Sequence, residues 1–339
     1  MKLIKTEDAV GQILCHDITQ IIKGVKKDAV FRKGHVITKE DIPVLLSVGK
    51  ENIYIWENDE TMLHENDAAE MLCELCLGEN LARGEVKEGK IELRAAVDGL
   101  LKIDRNKLLT VNGAGEMMIA SRHGDTPVKK GDKVAGTRII PLVIKKEKMQ
   151  AVYDKTGPAI FNVKPYTHKK VGIVTTGSEV LKGRIEDTFT PVIREKLAEY
   201  DTEVIGQVMT GDDHEVITDT ITKLITDGAN LIVTTGGMSV DPDDRTPLAI
   251  RNTGARIISY GAPVLPGAMF MLAYYGDTNI PIIGLPGCVM YAKRTIFDLM
   301  LPRIMADDMI TADEIIALGE GGLCLGCEVC TYPNCGFGR

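Results

Sequence analysis

Between residues 168 and 306 short apolar runs alternate with stretches of helical periodicity, and that alternation restricts this part of the chain to right-handed β-α-β units around a parallel sheet. Val171-Gly172-Ile173-Val174 reads as a short buried strand, followed by a helical stretch at about 189–200 and a strand over Glu203–Val208. Val216, Ile217, Ile221, Leu224 and Ile225 fall on one face of a helix spanning 214–227. Leu231-Ile232-Val233 and Pro281-Ile282-Ile283-Gly284-Leu285 supply two further strands, and 289–301 reads as the last helix.

In open α/β sheets ligands bind beyond the carboxyl ends of the strands. Three strands here run into glycine-bearing corners. The first is Thr175-Thr176-Gly177-Ser178-Glu179. The second is Thr234-Thr235-Gly236-Gly237-Met238-Ser239, with acids from Asp241 to Asp244. The third is Leu285-Pro286-Gly287-Cys288. Glycine lets backbone N–H groups approach a bound group, and hydroxyls and helix N-termini suit an oxyanion. One such loop is ordinarily just a tight turn; three in one domain point to a phosphate-bearing ligand. Glu179, Asp212, Asp213, Asp241, Asp243 and Asp244 cannot take phosphate directly, but they can hold Mg²⁺ that bridges to it. Asp212-Asp213 also reads as a helix N-cap, a role compatible with metal binding.

Outside this span the signals are mixed. Residues 1–90 read as an α+β region, with a helix capped at Thr38 and closed by Gly49, a strand over Ile53-Tyr54-Ile55-Trp56, and an amphipathic helix at 65–78. Residues 91–150 read as β-rich, with Ile91–Val97 and Leu100–Ile103 forming a hairpin about Asp98-Gly99. Lys and Arg number 40 against 48 Asp and Glu, a net charge of −8 that argues against general nucleic-acid binding. With 44% hydrophobic residues the chain is neither disordered nor fibrous. No apolar run reaches the ~18 residues of a membrane span, and Met1–Asp8 has no apolar signal region, so a cytoplasmic protein is expected. The six histidines form no His-x-x-x-His pair and read as structural or surface residues, whereas Cys73 and Cys76 sit among apolar helical neighbours, so core packing is expected of that pair.

Thr176-Gly177-Ser178-Glu179, then Gly183-Arg184-Ile185 and Asp187-Thr188, resembles the opening motif of molybdopterin-binding domains. Asp212-Asp213, Thr235-Gly236-Gly237-Met238-Ser239 with Asp244, Pro266-Gly267 and Leu285-Pro286-Gly287 resemble the later motifs, in order. Taken whole, the chain resembles a divergent relative of the molybdopterin molybdotransferases, the MoeA and gephyrin E-domain group. The resemblance implies a three-layer α-β-α domain with a parallel-rich sheet over 168–306. It implies molybdopterin, or its adenylylated form, as ligand, molybdate as co-substrate, Mg²⁺ as cofactor, a homodimer, and delivery to a molybdoenzyme. It carries over Glu179, Asp213 and Asp244 as the acidic catalytic positions. Thr176, Gly177, Ser178, Gly236, Gly237 and Ser239 become the binding loops, and Pro286 and Gly287 a third wall. Lys182, Arg184 or Arg245 would neutralise an anion.

The chain departs from that family in three places. Leu265-Pro266-Gly267-Ala268-Met269 stands where the family has Lys-Pro-Gly-Lys-Pro, and Leu285-Pro286-Gly287-Cys288-Val289 where it has Leu-Pro-Gly-Asn-Pro. Ala96-Val97-Asp98-Gly99-Leu100 is at best a remnant of its Ser-x-Met-Asp-Gly-Tyr motif. The lost lysines favour, as an alternative to an insertase, a non-catalytic molybdopterin carrier or sensor. A nucleotide-processing enzyme of the competence-damage-inducible group is a third reading. Finally, Gly319–Gly322 reads as a flexible lead into a tail over 319–339, where Cys324, Cys327, Cys330 and Cys335 are spaced C-x₂-C-x₂-C-x₄-C. Four clustered thiolates suit Zn²⁺ or an iron–sulfur cluster, the x₂ spacing of three cysteines leaning to the cluster; an unoccupied or redox-labile thiol tail, or a role for the thiols in sulfur or metal transfer, are the alternatives.

Overall fold

A computed structural model describes residues 2–24, 26–55 and 59–339. The chain forms two units: residues Met1–Ala96, Ile103–Arg122 and Gly131–Asn162 in one, and Val97–Lys102, His123–Lys130 and Val163–Arg339 in the other. None of the described helices is long and apolar enough to cross a membrane.

The second unit holds a six-stranded sheet. In chain order its strands are β1 (Lys169–Thr176), β2 (Thr202–Thr210), β3 (Leu231–Thr235), β4 (Arg256–Tyr260), β5 (Met271–Tyr275) and β6 (Ile280–Leu285). They lie in the spatial order β2-β1-β3-β6-β5-β4. The first four pair in parallel, and β5 and β4 add antiparallel at one side. Its helices are α1 (Ser178–Leu181), α2 (Phe189–Leu197), α3 (His214–Thr226), α4 (Thr246–Asn252), α5 (Ile296–Met305) and α6 (Ala312–Ala317).

Side-chain parity sorts the layers, because successive residues of a strand face opposite ways. Val171, Ile173, Leu231, Val233, Leu272, Ile283 and Leu285 pack with Ile193 and Leu197 of α2 and with α5. Val174, Ile232, Met271, Ala273 and Ile282 pack on the other side with Ile217, Ile221 and Leu224 of α3 and Ile250 of α4. The result is the three-layer α-β-α sandwich. Gly172 and Gly206 are the space that α3 needs: a Cβ on either would lie 2.8 Å from Ile232 or 2.4 Å from Leu224.

The expected helix over 289–301 is corrected. Gly287–Met290 is a single 3₁₀ turn, and α5 begins only at Ile296. Thr295 and Asp298 form a reciprocal capping box, which fixes the start of α5 at Ile296, beyond the apolar pair Val289-Met290. Asp298 is also the partner of a buried cation, with Lys196 Nζ at 2.6 Å and Arg294 at 2.8 Å. The expected hairpin about Asp98-Gly99 is likewise absent. Lys90–Ala95 pairs with Leu81–Arg83 and Lys133–Ile139, whereas Gly99–Ile103 pairs with Thr126–Val128. Gly99 is needed for a close approach, not a turn, since a Cβ there would lie 2.2 Å from the Lys164 carbonyl oxygen.

In the first unit, helices Asp41–Ser47 and Glu65–Cys76 form as expected. Thr38 lies short of the helix end and donates to the Asp41 carboxylate at 2.9 Å, so Glu40 occupies the cap position. Asn52–Ile55 is a strand; Trp56, expected to extend it, lies outside the described residues. Cys73 and Cys76 are buried core residues, with burial pushing the Cys73 thiol up to about 11. His64 is buried too. Its Nε2 donates to the Cys15 carbonyl at 2.8 Å and its Nδ1 accepts from Asn66 N–H at 3.2 Å, which fixes a neutral ring.

Two predictions follow from these buried groups. Asp298→Ala strips Lys196 and Arg294 of their shared carboxylate and removes the α5 cap; the expected loss is about 3–5 kcal/mol, read as a fall in urea midpoint. Burial holds the pKa of His64, and of neighbouring His16, below the ordinary value near 6.5. The unfolded chain therefore binds these protons first, so stability falls as pH drops below about 6.5 through the folded values. A urea midpoint that is lower at pH 5.5 than at 7.5, with a smaller drop in His64→Gln, checks this.

Candidate functional site

The parallel strands place their carboxyl ends side by side, and the corners that follow them close around one open cleft of about 1370 Å³. Thr176-Gly177-Ser178-Glu179 follows β1, Gly211-Asp212-Asp213 follows β2, and Gly236-Gly237 with Asp241–Arg245 follows β3. Two of the corners touch backbone to backbone. A Cβ on Gly236, where φ is +85°, would lie 2.1 Å from the Thr176 carbonyl oxygen. Thr246, at the start of α4, holds this contact: its hydroxyl donates to the Gly236 carbonyl at 2.8 Å. That leaves the Thr176 hydroxyl to donate to Thr246 Oγ1 at 3.0 Å. The second corner is tied to the first by Ser178 N–H, which donates to Asp212 at 3.0 Å.

Of the residues singled out in the sequence, Thr176, Gly177, Ser178, Glu179, Asp213, Gly236, Gly237 and Asp244 all line this cleft. Asp213 is exposed and caps α3, accepting from Glu215 N–H at 2.9 Å through one carboxylate oxygen. Asp244 closes a turn with Asp241, whose N–H it accepts at 3.3 Å. Ser239, Pro286 and Gly287 do not line the cleft. Ser239 is exposed beyond it, where its carbonyl accepts from the Tyr260 hydroxyl at 3.4 Å, and Pro286 is buried. Met290, one turn past Gly287, supplies the wall expected of the third corner, beside Phe189. Thr246 carries the staple between corners and went unnoticed in the sequence; the Thr-Pro that opens α4 is its only local signal.

The walls are strongly electronegative. Glu179, Glu186, Asp187, Asp212, Asp213, Glu215, Asp241, Asp243 and Asp244 face the cleft, against Arg245 as its one lysine or arginine. Lys182 and Arg184, considered as anion partners, are not among the lining residues. Asp187 has a structural part as well, accepting from Phe189 and Thr190 N–H, both at 3.0 Å, at the head of α2.

A family described as "Probable molybdopterin binding domain" matches residues 172–306, the span that builds this cleft. A second family, described only as a domain of unknown function, matches residues 3–57. A "CinA-like protein" of Mycobacterium sp. (strain MCS) is 39% identical over 77 residues, 23% of this chain and 18% of the relative. A "Molybdopterin molybdenumtransferase" of Synechococcus elongatus is 25% identical over 144 residues, 40% of this chain and 36% of the relative. The chain thus spans about a fifth to a third of the length of these curated relatives. A molybdopterin biosynthesis MoeA protein structure from Pyrococcus horikosii covers 91% of this chain and 75% of its own, at 14% identity and a TM-score of 0.32, too loose a superposition to carry an argument.

The four tail cysteines lie elsewhere in the same unit and line a separate cavity of about 490 Å³. Among the described residues no three His, Cys, Asp or Glu side chains come together as ligands of a single ion, there or in the cleft.

The staple makes a direct prediction. Thr246→Val keeps the shape but leaves the Gly236 carbonyl and the Thr176 hydroxyl unpartnered, so a loss of about 1–3 kcal/mol is expected in thermal or urea unfolding.

Proposed function

We propose that the cleft binds molybdopterin, or its adenylylated form, and assists Mg²⁺-dependent insertion of molybdate. The observation that carries this reading is the single cleft with nine carboxylates and one arginine at strand ends of a molybdopterin-binding-type domain. A polyanion cannot settle against such walls by itself. Mg²⁺ is ordinarily held by one or two carboxylates, water and the ligand's own phosphates, with no complete protein cage. The donor set here fits that mode, with one or two of Glu179, Asp213 and Asp244 as the groups that would hold the ion. When bound, the ion supplies charge neutralisation at the phosphate or pyrophosphate. The chain's own residues do the remainder. Gly236 and Gly237 let the backbone come close to the ligand, Arg245 opposes one anionic group, and Phe189 and Met290 offer an apolar side to a flat ring.

The lysine positions of the resembling family bear on a second reading. Leu265 and Ala268 stand there, and Leu265 is instead paired with the tail, its N–H donating to the Gly322 carbonyl at 2.8 Å. A cleft short of cations favours a carrier or sensor that binds the pterin without turning it over.

Pterin fluorescence titrations, with Mg²⁺ and with a chelator, test the reading. Binding in Mg²⁺ that weakens at least about tenfold on chelation, and comparably in Asp244→Asn or Glu179→Gln, is expected; tenfold corresponds to about 1.4 kcal/mol. Release of AMP from adenylylated pterin on adding molybdate marks the insertase, and tight binding without release marks the carrier. Equal binding with and without chelator, or nucleotide hydrolysis with no pterin affinity, contradicts both.

A further inference from the structure

The cysteine tail is a built part of the second unit. Cys324 N–H donates to the Leu265 carbonyl at 2.8 Å, and Gly338 N–H to the Gly321 carbonyl at 2.9 Å. The Tyr332 hydroxyl donates to the Asp298 carbonyl at 2.8 Å, and Phe337 is buried in the core. The glycines expected to form a flexible lead are close-packed: a Cβ on Gly322 would lie 2.3 Å from the Pro263 carbonyl oxygen. This framework brings Cys324, Cys327, Cys330 and Cys335 to the wall of one cavity of about 490 Å³.

We propose that these four thiolates ligate a [4Fe–4S] cluster seated in that cavity. The proposal rests on the tail alone and is independent of the pterin reading. A structural Zn²⁺ site draws four sulfurs to about 2.3 Å from one centre and leaves no hollow among them. Here all four cysteines line the wall of one open hollow. A cubane distributes its four cysteine ligands over four irons, which suits thiols set apart around a space. The wall also carries Lys293 and Arg294. Lys293 Nζ donates to the Glu328 carbonyl at 2.7 Å, between the second and third cysteines, and Arg294 stacks on Tyr332 with its guanidinium carbon 5.0 Å from the ring centre. Each thiol gives up its proton on ligation, and two fixed cations beside the sulfurs favour the anionic assembly.

The full chain, purified without oxygen or reconstituted with ferric iron, sulfide and a thiol reductant, is assayed for iron, acid-labile sulfide, zinc and visible absorption. About four iron and four sulfide per chain with a broad visible band are expected. Cys327 and Cys330 are both exposed, so Cys327→Ser combined with Cys330→Ser leaves the buried core untouched; loss of the band and of most of the iron is expected, with pterin binding unchanged. One zinc per chain without sulfide, no bound metal in the reconstituted chain, or full iron in the double variant overturns the proposal. A chain that holds the cluster but no pterin overturns only the functional reading, so the two failures are distinguishable.

Discussion

The contact on which the site depends is the approach of Gly236 to the Thr176 carbonyl. Two parallel strands would otherwise end in independent loops. Absence of a Cβ at a left-handed position lets the loops meet, and the Thr246 hydroxyl locks them by accepting from one and donating to the other. Because Asp212 is bonded to Ser178 N–H, the second corner moves with the first. Acids that are far apart in sequence, from Glu179 to Asp244, thereby share one cleft. Their mutual repulsion is tolerated because the cleft is open to water, and it is relieved further by any bound cation.

Two of the three places where the chain departs from the resembling motifs are places the tail uses. Leu265 gives its backbone to Gly322 and Cys324, and the loop after Gly287 leads to Tyr291–Arg294 on the wall of the cysteine cavity. The same loop places Met290 in the electronegative cleft. This segment therefore has two surfaces, one toward each hollow.

Most of the sheet was legible because β1, β3 and β6 are buried on both faces and read as unbroken apolar runs. The helices α2 and α3 were legible from one-sided periodicity. Strands β4 and β5 were not anticipated: they join antiparallel at one side, and that pairing is set by tertiary contact rather than by local pattern. The start of α5 was misplaced because Val289 and Met290 looked like a helical face, whereas Thr295 and Asp298 decide where the helix begins. Asp98-Gly99 carried the local signature of a turn while its actual constraint, the nearness of Lys164, lies 65 residues on. At the site the acids and the glycines of the first two corners were readable, whereas Gly287 falls outside the cleft; Thr246 and Met290 were not, since each acts across the cleft from a segment with no motif of its own. That the tail cysteines share a hollow is a matter of docking, which spacing alone does not express.

The most direct test is a crystal structure of the chain with Mn²⁺ in place of Mg²⁺ and a phosphate-bearing pterin, read from the anomalous scattering of the manganese. The account predicts one manganese between the ligand phosphate and carboxylates drawn from Glu179, Asp213 and Asp244, with Gly236 and Gly237 against the ligand. Ordered pterin away from these strand ends, or phosphate held there with no metal beside it, would contradict the account.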